Sequence, residues 1–339
     1  MTPDLSVIIP VYNRGDFIRY TLESVRRASA GLVVEVVIVD DGSEPPAAAS
    51  IAALGYKPEK MIRQTNQGLL FARLAGLAAA TGRHVLFLDS DDLVSPEKFR
   101  LQVTALDSGP ADVSYTDTVS CTLEGDFEKL VPGPLECVPV TDDAAELFIT
   151  VQPAPHSPIF RADWLRQIVA SAFFPPSRLY NSVAEIWLYH NAAPRPGRIV
   201  KVAGAHTVIG RHPGPRLTDH WEKLGVASLA VMEAFARTCP ATPETVVARQ
   251  LVAEKAFGSW RRLPRGFSPE FCARQLAVWR QLSTGRRLDR LGGGQFQKIA
   301  RLLGPLTAGR ILRQWQGQPY ATCRTLTDTE LARLLGQLP

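Results

Sequence analysis

The stretch "HVLFLDSDD" (residues 84–92) decides the fold that the sequence predicts. Val85 to Leu88 form an uninterrupted apolar run, which is typical of a strand buried on both faces. Asp89, Asp91 and Asp92 follow at once, and a protein core cannot hold three carboxylates without compensation. We therefore expect a central strand that leaves the core at a ligand-binding edge of a sheet.

Strand-like runs and helical patterns alternate around this stretch through the first 116 residues. The predicted strands are 5–11, 33–39, 60–64, 85–88 and a short one at 112–115. The predicted helices are 16–27, 45–54, 69–80 and one that begins with Ser95 as its N-cap, before Pro96 and Glu97. Such alternation is typical of an α/β fold with a mostly parallel sheet covered by helices on both faces.

The chain changes character after residue 116. Residues 118–140 lose their periodicity and predict irregular structure or a hairpin, and mixed patterns then continue to about residue 211. Beyond residue 220 only helical patterns occur, most clearly at 221–236, 242–260, 269–282 and 298–303, and Thr327 with Glu330 forms a capping box. We expect a catalytic domain at 1–215, with halves 1–116 and 117–215, followed by a helical region at 216–339.

Composition and charge exclude several classes of protein. The 339 residues are 45% hydrophobic and 21% charged, and no apolar run approaches the roughly 18–20 residues of a membrane span. The start of the chain does not resemble a signal peptide, and the five cysteines are scattered without a CxxC pair, so we expect a cytoplasmic protein without structural zinc. The net charge is +5, but residues 221–339 hold 18 Lys and Arg against 8 Asp and Glu.

Candidate ligand-binding motifs stand where three predicted strands end, and two of the three are acidic. "PVYNR" (10–14) ends the first strand, "VDDGS" (39–43) the second and "LDSDD" (88–92) the fourth. Ligands of parallel α/β sheets bind beyond the carboxyl ends of the strands. Asp89 and Asp91 offer the hard oxygen ligands that suit Mg²⁺ or Mn²⁺. A plain turn followed by a helix cap is the alternative interpretation of the same residues.

The order and spacing of "SVIIPVYNR", "EVVIVDDGS" and "NQGLLFARLAGLAAATGRHVLFLDSDD" strongly resemble the inverting family-2 glycosyltransferases, which have the GT-A fold. The resemblance covers roughly residues 5–215 and implies a nucleotide-diphosphate-sugar donor, most often a UDP-sugar. It implies that Asp40 or Asp41 reads the uracil ring, that Asp91 is the main metal ligand and that Asp89 contacts ribose or metal. The other implied donor-binding residues are Pro10, Tyr12, Arg14, Asn66, Gly68, Arg73, Ser90, Arg211 and His212, with His212 a candidate metal ligand as well.

The catalytic base is where this sequence departs from the family. The family usually supplies it from a Glu-Asp pair shortly before a helical Trp, but "SVAEIWLYH" (182–190) places Ser182 and Val183 there. Three interpretations stay open: Glu185 is the base, another group such as His156 or the acceptor itself replaces it, or the protein binds a nucleotide-sugar with little transfer. We therefore expect a metal-dependent hexosyltransferase, with a catalytically weak binding or assembly module as the alternative.

The basic helical tail lies outside the resemblance. Arg261, Arg262 and Arg265 form one cluster, and Arg286, Arg287 and Arg290 form a second, both interleaved with apolar and aromatic residues. A peripheral contact with the inner face of an anionic membrane, a dimer interface and a bundle that caps the active site all fit this pattern. We expect a saccharide or lipid-linked acceptor and no nucleic-acid partner, because no recognised binding motif accompanies the charge.

Overall fold

A computed structural model describes residues 2–14, 17–214, 219–285 and 287–338 of the chain. Its strands are β1 (Leu5–Val11), β2 (Val34–Asp40), β3 (Lys60–Arg63), β4 (His84–Phe87), β5 (Leu93–Val94), β6 (Val113–Thr122), β7 (Ile159–Arg161) and β8 (Ile199–Arg211). Its α-helices are α1 (Ile18–Ala28), α2 (Ala47–Ala53), α3 (Leu69–Ala79), α4 (Lys98–Asp107), α5 (Ala162–Ala170), α6 (Ala184–Ala192), α7 (Trp221–Thr238), α8 (Val246–Arg262), α9 (Pro269–Leu282), α10 (Leu288–Leu291), α11 (Gly294–Gln316) and α12 (Asp328–Leu335). Short 3₁₀ helices occupy Phe127–Lys129, Arg178–Val183 and Tyr320–Thr322, and a π-helix occupies Glu146–Val151.

The described strands form one sheet in the order β3-β2-β1-β4-β7-β6-β8-β5. The first four strands in this order are parallel, as the alternation of strands and helices predicts. β7 runs antiparallel to both β4 and β6, and β5 runs antiparallel to β8, so the second half of the sheet is mixed. The carboxyl ends of β1, β2 and β4 therefore meet at one edge, which is where the acidic motifs stand.

Alternate residues of the central strands face two different cores, because successive side chains of a strand point to opposite faces. Ile8, Val37 and Val85 belong to one apolar cluster, and their neighbours Ile9 and Leu86 belong to the other. α1, α2 and α4 cover the second cluster, whereas α3, α5, α6 and the helices beyond residue 220 cover the first. Each buried strand is apolar throughout for this reason.

The helical region after residue 220 shares its core with the sheet. Leu229 and Phe235 of α7 lie in the same cluster as Val183 and Trp187, and α7 contacts the 3₁₀ helix Arg178–Val183 directly. The predicted boundary between residues 215 and 216, like Arg286 of the second basic cluster and the predicted helix start at Asp16, lies outside the described residues. The predicted capping box is confirmed at α12, where Thr327 and Glu330 make both bonds of the box.

Two secondary-structure predictions have wrong boundaries, each for a physical reason. The strand predicted at 112–115 extends to Thr122, because β6 pairs with β8 along almost the whole of β6. The helix predicted to begin at the Ser95 cap begins at Lys98, and the Ser95 hydroxyl instead lies 2.7 Å from His206 Nδ1. The helix predicted at 298–303 is confirmed as part of α11, whose first half ends at Gly304, a residue in a non-helical conformation.

The remaining region of faded periodicity agrees with the sequence prediction. After β6 the chain continues without long regular elements, and isolated antiparallel bridges join Thr118 to Glu136 and Cys121 to Pro132. This segment therefore returns along β6 in the manner of a loose hairpin.

Candidate active site

A cavity of about 540 Å³ opens at the carboxyl ends of β1, β2 and β4. Its volume lies within the range of small-molecule and cofactor sites. The predicted site residues that line it are Pro10, Tyr12, Arg14, Asp41, Asn66, Gly68, Asp89, Ser90, Asp91 and Glu185. Asp40, Arg73, Arg211 and His212 do not line it, although Arg73 and His212 bond to carboxylates that do. The Arg211 side chain lies near the Ser120 hydroxyl on the exposed side of β8.

The two adjacent aspartates at the end of β2 have different surroundings. Asp40 is buried, and its carboxylate accepts hydrogen bonds from the backbone N–H groups of Ser43 and Ala47. Asp41 borders the cavity and accepts from the backbone N–H groups of Gln67 and Gly68 at 2.9 and 2.8 Å. Asp40 therefore shapes the turn after β2, and Asp41 is the one of the pair that borders the cavity.

Gly68 is a position where the fold requires glycine. Its φ of 94° lies in the region that side-chain-bearing residues avoid, and a Cβ atom would lie 2.0 Å from Asn181 Nδ2. Asn181 donates to the Gln67 carbonyl at 2.9 Å and accepts from the Leu70 N–H at 3.3 Å. This side chain joins the start of α3 to the 3₁₀ helix Arg178–Val183, and both line the cavity.

Asp91 is held by two basic side chains. His212 Nδ1 accepts from the Gly214 N–H, so Nε2 carries the proton and donates to Asp91 Oδ2 at 2.9 Å. Arg14 Nε lies 4.0 Å from the same oxygen, and the Phe17 ring stacks on His212 with centroids 4.1 Å apart. Burial, together with the neighbouring carboxylates of Asp92 and Asp89, raises the pKa of Asp91.

Arg73 links two acids that line the cavity, Asp89 and Glu185. Its guanidinium is buried, donates to Asp89 Oδ1 at 2.7 Å and lies 3.7 Å from Glu185 Oε2. Burial alone would lower the pKa of Arg73, but the two carboxylates offset it and the pKa is raised. The sequence resemblance implied that Arg73 binds the donor; in the structure its guanidinium forms ion pairs with two acids that line the cavity, Asp89 and Glu185.

Glu185 stands at the first turn of α6, with its side chain about a quarter exposed to the cavity. Burial raises the pKa of Glu185, and the nearby Arg73 opposes this shift. Of the two residues at the positions of the usual acidic pair, Ser182 lines the cavity and Val183 is packed in the core. Glu185 is therefore the carboxylate that this helix presents to the cavity.

The acidic turn fits a divalent cation shared with a ligand. Asp89, Asp91 and Asp92 lie on one turn, and burial chiefly, followed by the charges of Asp92 and Asp89, raises the pKa of Asp91; a cation would offset that negative charge. The described residues contain no group of three or more His, Cys, Asp and Glu that could hold a metal by themselves. A Mg²⁺ or Mn²⁺ ion here would take one or two protein carboxylates and complete its shell with ligand oxygens and water.

One contact at the site could not be anticipated from the sequence. Asn181 gave no signal, because it meets the start of α3 across 114 residues of chain. His156, an alternative candidate for the base, does border the cavity, although its side chain has no solvent-exposed surface. Its Nε2–H donates to the Val208 carbonyl at 3.2 Å and its Nδ1 lies 3.1 Å from Asp92 Oδ2, contacts that the sequence did not indicate.

Comparison with known proteins agrees with this geometry. The sequence model of glycosyl transferase family 2 matches residues 6–168, which contain β1 to β4 and all the acidic motifs. Residues 6–168 belong to glycosyltransferase family 2. The described residues of this chain contain no helix with both the length and the apolar character that crossing a membrane requires.

The relatives of this chain match it over only part of their own length. The succinoglycan biosynthesis protein ExoO of Rhizobium meliloti (strain 1021) is 36% identical over 124 residues, which are 36% of this chain and 35% of that protein. The uncharacterized glycosyltransferase YibD of Escherichia coli (strain K12) is 29% identical over 208 residues, 60% of this chain and 54% of that protein. The matches thus span about a third to a half of these relatives.

The architecture of the chain, including its helical C-terminal region, has a solved counterpart. Crystal structures of residues 1–349 of S. aureus TarS cover 96% of this chain and 93% of theirs, with TM-scores of 0.65 for one and 0.64 for its complex with UDP-GlcNAc. The sequence identities are 18% and 19%, so the likeness concerns the fold. The expected GT-A fold with a helical C-terminal region is confirmed.

Proposed function

We propose that this glycosyltransferase moves a hexose from a UDP-sugar to a hydroxyl group of a saccharide, lipid-linked saccharide or glycoprotein, with inversion at the anomeric carbon. One observation carries the proposal: a single cavity is lined both by the Asp89–Asp92 turn and by Glu185. The UDP-GlcNAc bound by the structurally similar TarS supports a UDP-sugar as the donor class.

The reaction needs a base on the acceptor side, and Glu185 suits this role. The acceptor hydroxyl gives its proton to the Glu185 carboxylate while its oxygen forms a bond to the anomeric carbon. The bond from that carbon to the diphosphate oxygen breaks, and its electron pair leaves with UDP. The raised pKa of Glu185 strengthens it as a proton acceptor, and Arg73 holds it in place from behind.

The donor side supplies recognition and charge compensation. Asp41 is placed to accept a hydrogen bond from the uracil ring, near Pro10, Tyr12 and Asn66 of the cavity wall. Arg14 would approach the diphosphate from the end of β1. Asp91, assisted by Asp89, would hold a Mg²⁺ or Mn²⁺ ion that, when bound, neutralises charge on the diphosphate leaving group.

The testing experiment is a hydrolysis and transfer assay with a panel of UDP- and GDP-sugars and Mn²⁺. We expect turnover with a UDP-sugar and a loss of roughly 10²-fold or more in kcat for Glu185→Gln. The exposed Glu124 lies outside the cavity, so Glu124→Gln is the matched control that keeps full turnover. A carboxylate base must be ionised to accept a proton. Because the pKa of Glu185 is raised, wild-type activity should be lost on lowering the pH, already at a pH above the ordinary carboxyl value of about 4.5.

A second candidate function follows from Ser182 and Val183. A nucleotide-sugar-binding module that has lost transfer activity would keep Asp41 and Asp91 but need no base, and a serine and a core valine stand at the usual base positions. UDP binding without any turnover across the donor panel would favour this candidate. Turnover that survives Glu185→Gln unchanged would instead remove Glu185 as the base.

The environment proposed for the enzyme is the cytoplasm, with a peripheral contact at the inner face of a membrane. Leu302 and Trp315 of α11 are 85% and 71% exposed, and the exposed Lys298, Arg301 and Arg310 lie on the same helix. Apolar side chains among basic ones suit an anionic lipid surface. Such a contact would bring the cavity close to a lipid-linked acceptor.

A further inference from the structure

Lys98, at the start of α4, is buried in an unusual way. It has no exposed surface, and its Nζ donates to the Ser157 carbonyl at 3.0 Å and to Thr207 Oγ1 at 3.1 Å. It forms no ion pair with any carboxylate of the described ranges, and burial lowers its pKa well below the ordinary value. A buried lysine without an acidic partner costs stability, because its amine is removed from water.

The two residues that Lys98 binds are each next in sequence to a partner of one hydrogen bond, the bond between His156 and Val208. Ser157 follows His156, and Thr207 precedes Val208. His156 donates to the Val208 carbonyl at 3.2 Å, so Lys98 holds both partners of this bond through the adjacent residues.

Other buried polar groups fix the same two segments. Gln102 Nε2, one turn after Lys98, donates to the Ser157 carbonyl at 3.1 Å. The Ser157 hydroxyl donates to the Thr116 carbonyl, and the Thr116 and Thr207 hydroxyls lie 2.8 Å apart. The network is fully buried between α4 and the strands β6 and β8. Such a buried layer is usually filled by apolar side chains.

The contact held in this way supports the acidic turn of the active site. His156 Nδ1 lies 3.1 Å from Asp92 Oδ2, and Asp92 Oδ1 accepts from the Gly210 N–H at 2.9 Å. A Cβ atom on Gly210 would lie 1.8 Å from the Asp91 carbonyl, so β8 packs closely against the backbone of the turn. Small shifts of His156 or β8 would therefore move Asp91 and Asp92 together.

We infer that Lys98 is a positioning residue for glycosyl transfer, which holds His156 and β8 so that the Asp89–Asp92 turn faces the donor. The inference rests on the proposed function, since it names a part of the same site. If this position served folding alone, an apolar side chain of similar length, such as methionine, would stabilise the fold better, because it has no amine to remove from water. A lysine at this position is therefore better explained by its hydrogen bonds, which fix the position of the Asp89–Asp92 turn.

The test compares Lys98→Met with Val103→Ala. Val103 is buried on the same helix but belongs to the apolar cluster rather than to the polar network, so it reports the effect of a destabilised α4 alone. For each full-length variant, kcat and KM for a UDP-sugar, UDP affinity by calorimetry with and without Mn²⁺, and Tm are measured. We expect Lys98→Met to lower kcat tenfold or more and to weaken Mn²⁺-dependent UDP binding at least fivefold, with a Tm no lower than that of Val103→Ala.

The outcomes separate the inference from the proposed function. An active wild type whose Lys98→Met variant keeps more than half of kcat and of the UDP affinity overturns the inference alone. Equal losses of kcat in Lys98→Met and Val103→Ala overturn it as well, because a loosened helix would then explain both. A wild type without turnover on any donor overturns the proposed transfer and the inference with it.

Discussion

Replacing Gly68 with alanine should damage both stability and donor binding, by an amount that the structure allows to be divided. At φ 94° and ψ 168°, a backbone conformation that is essentially confined to glycine, a side chain costs about 1–3 kcal/mol of strain. The new Cβ atom would also lie 2.0 Å from Asn181 Nδ2, and ordinary contact begins near 3.4 Å, so the Asn181 side chain must move by more than 1 Å. Losing its two hydrogen bonds costs about 0.5–1.5 kcal/mol each. The expected loss is about 2–6 kcal/mol.

A glycine with open surroundings separates strain from collision. Gly31 has a φ of 78°, and no atom lies within 4 Å of the position that an added Cβ would occupy, so Gly31→Ala should cost the strain alone. The free energy of unfolding from urea titration should therefore fall by about 1–3 kcal/mol more for Gly68→Ala than for Gly31→Ala.

The same displacement should reach the chemistry. Asn181 lines the cavity four residues before Glu185, and a misplacement of about 1 Å in an active site can reduce turnover by roughly 10²-fold. UDP affinity and kcat should both drop for Gly68→Ala and stay unchanged for Gly31→Ala. In the double variant Gly68→Ala/Asn181→Ala the collision is absent, so the two losses of stability should not add. Equal stability and equal UDP affinity for Gly68→Ala and Gly31→Ala would refute the reasoning.

Two further predictions concern the metal and the tail. Asp91→Ala should abolish the Mn²⁺-dependent part of UDP binding in calorimetry, since we propose that Asp91, which lines the cavity, shares a cation with the diphosphate. Wild-type UDP binding that is equally tight in EDTA would contradict this. Wild-type protein should cosediment with anionic liposomes at low salt, and Leu302→Glu/Trp315→Ala should reduce the bound fraction severalfold without changing turnover of a soluble donor; absence of binding to anionic vesicles at low salt would end the membrane proposal.

The first hundred residues could be predicted well because their signals are local. A strand buried on both faces reads as an apolar run, as at β1, β2 and β4, and the acids that end these strands mark the ligand edge. β6 was underestimated because Thr116, Asp117 and Thr118 are polar yet buried. Their partners lie on β8 and on Lys201, more than 80 residues later, so no local pattern reveals that these residues continue a strand.

The acidic edge of the cavity and Glu185 could be named from the sequence, but the contacts that join them could not. Asp41, Asp89 and Asp91 line the predicted cavity because strand order in a parallel sheet brings their motifs together. The pairing of Arg73 with Glu185 and the contact of Asn181 with the start of α3 depend on how a 3₁₀ helix and α6 pack against α3. Such packing joins residues over 100 positions apart and is determined by the complete core rather than by neighbouring letters.

The shared core of the sheet and α7 has a consequence for how this chain can be divided and recombined. Leu229 and Phe235 pack in the same cluster as Val183 and Trp187, which stand on either side of Glu185. A fragment that stops near residue 215 would expose the apolar residues Val183 and Trp187 to water, although the segment that matches the family model ends at residue 168. Chimaeras that exchange acceptor specificity between such enzymes would therefore have to carry α7 along with the segment 178–192 and treat the two as one transplantable piece.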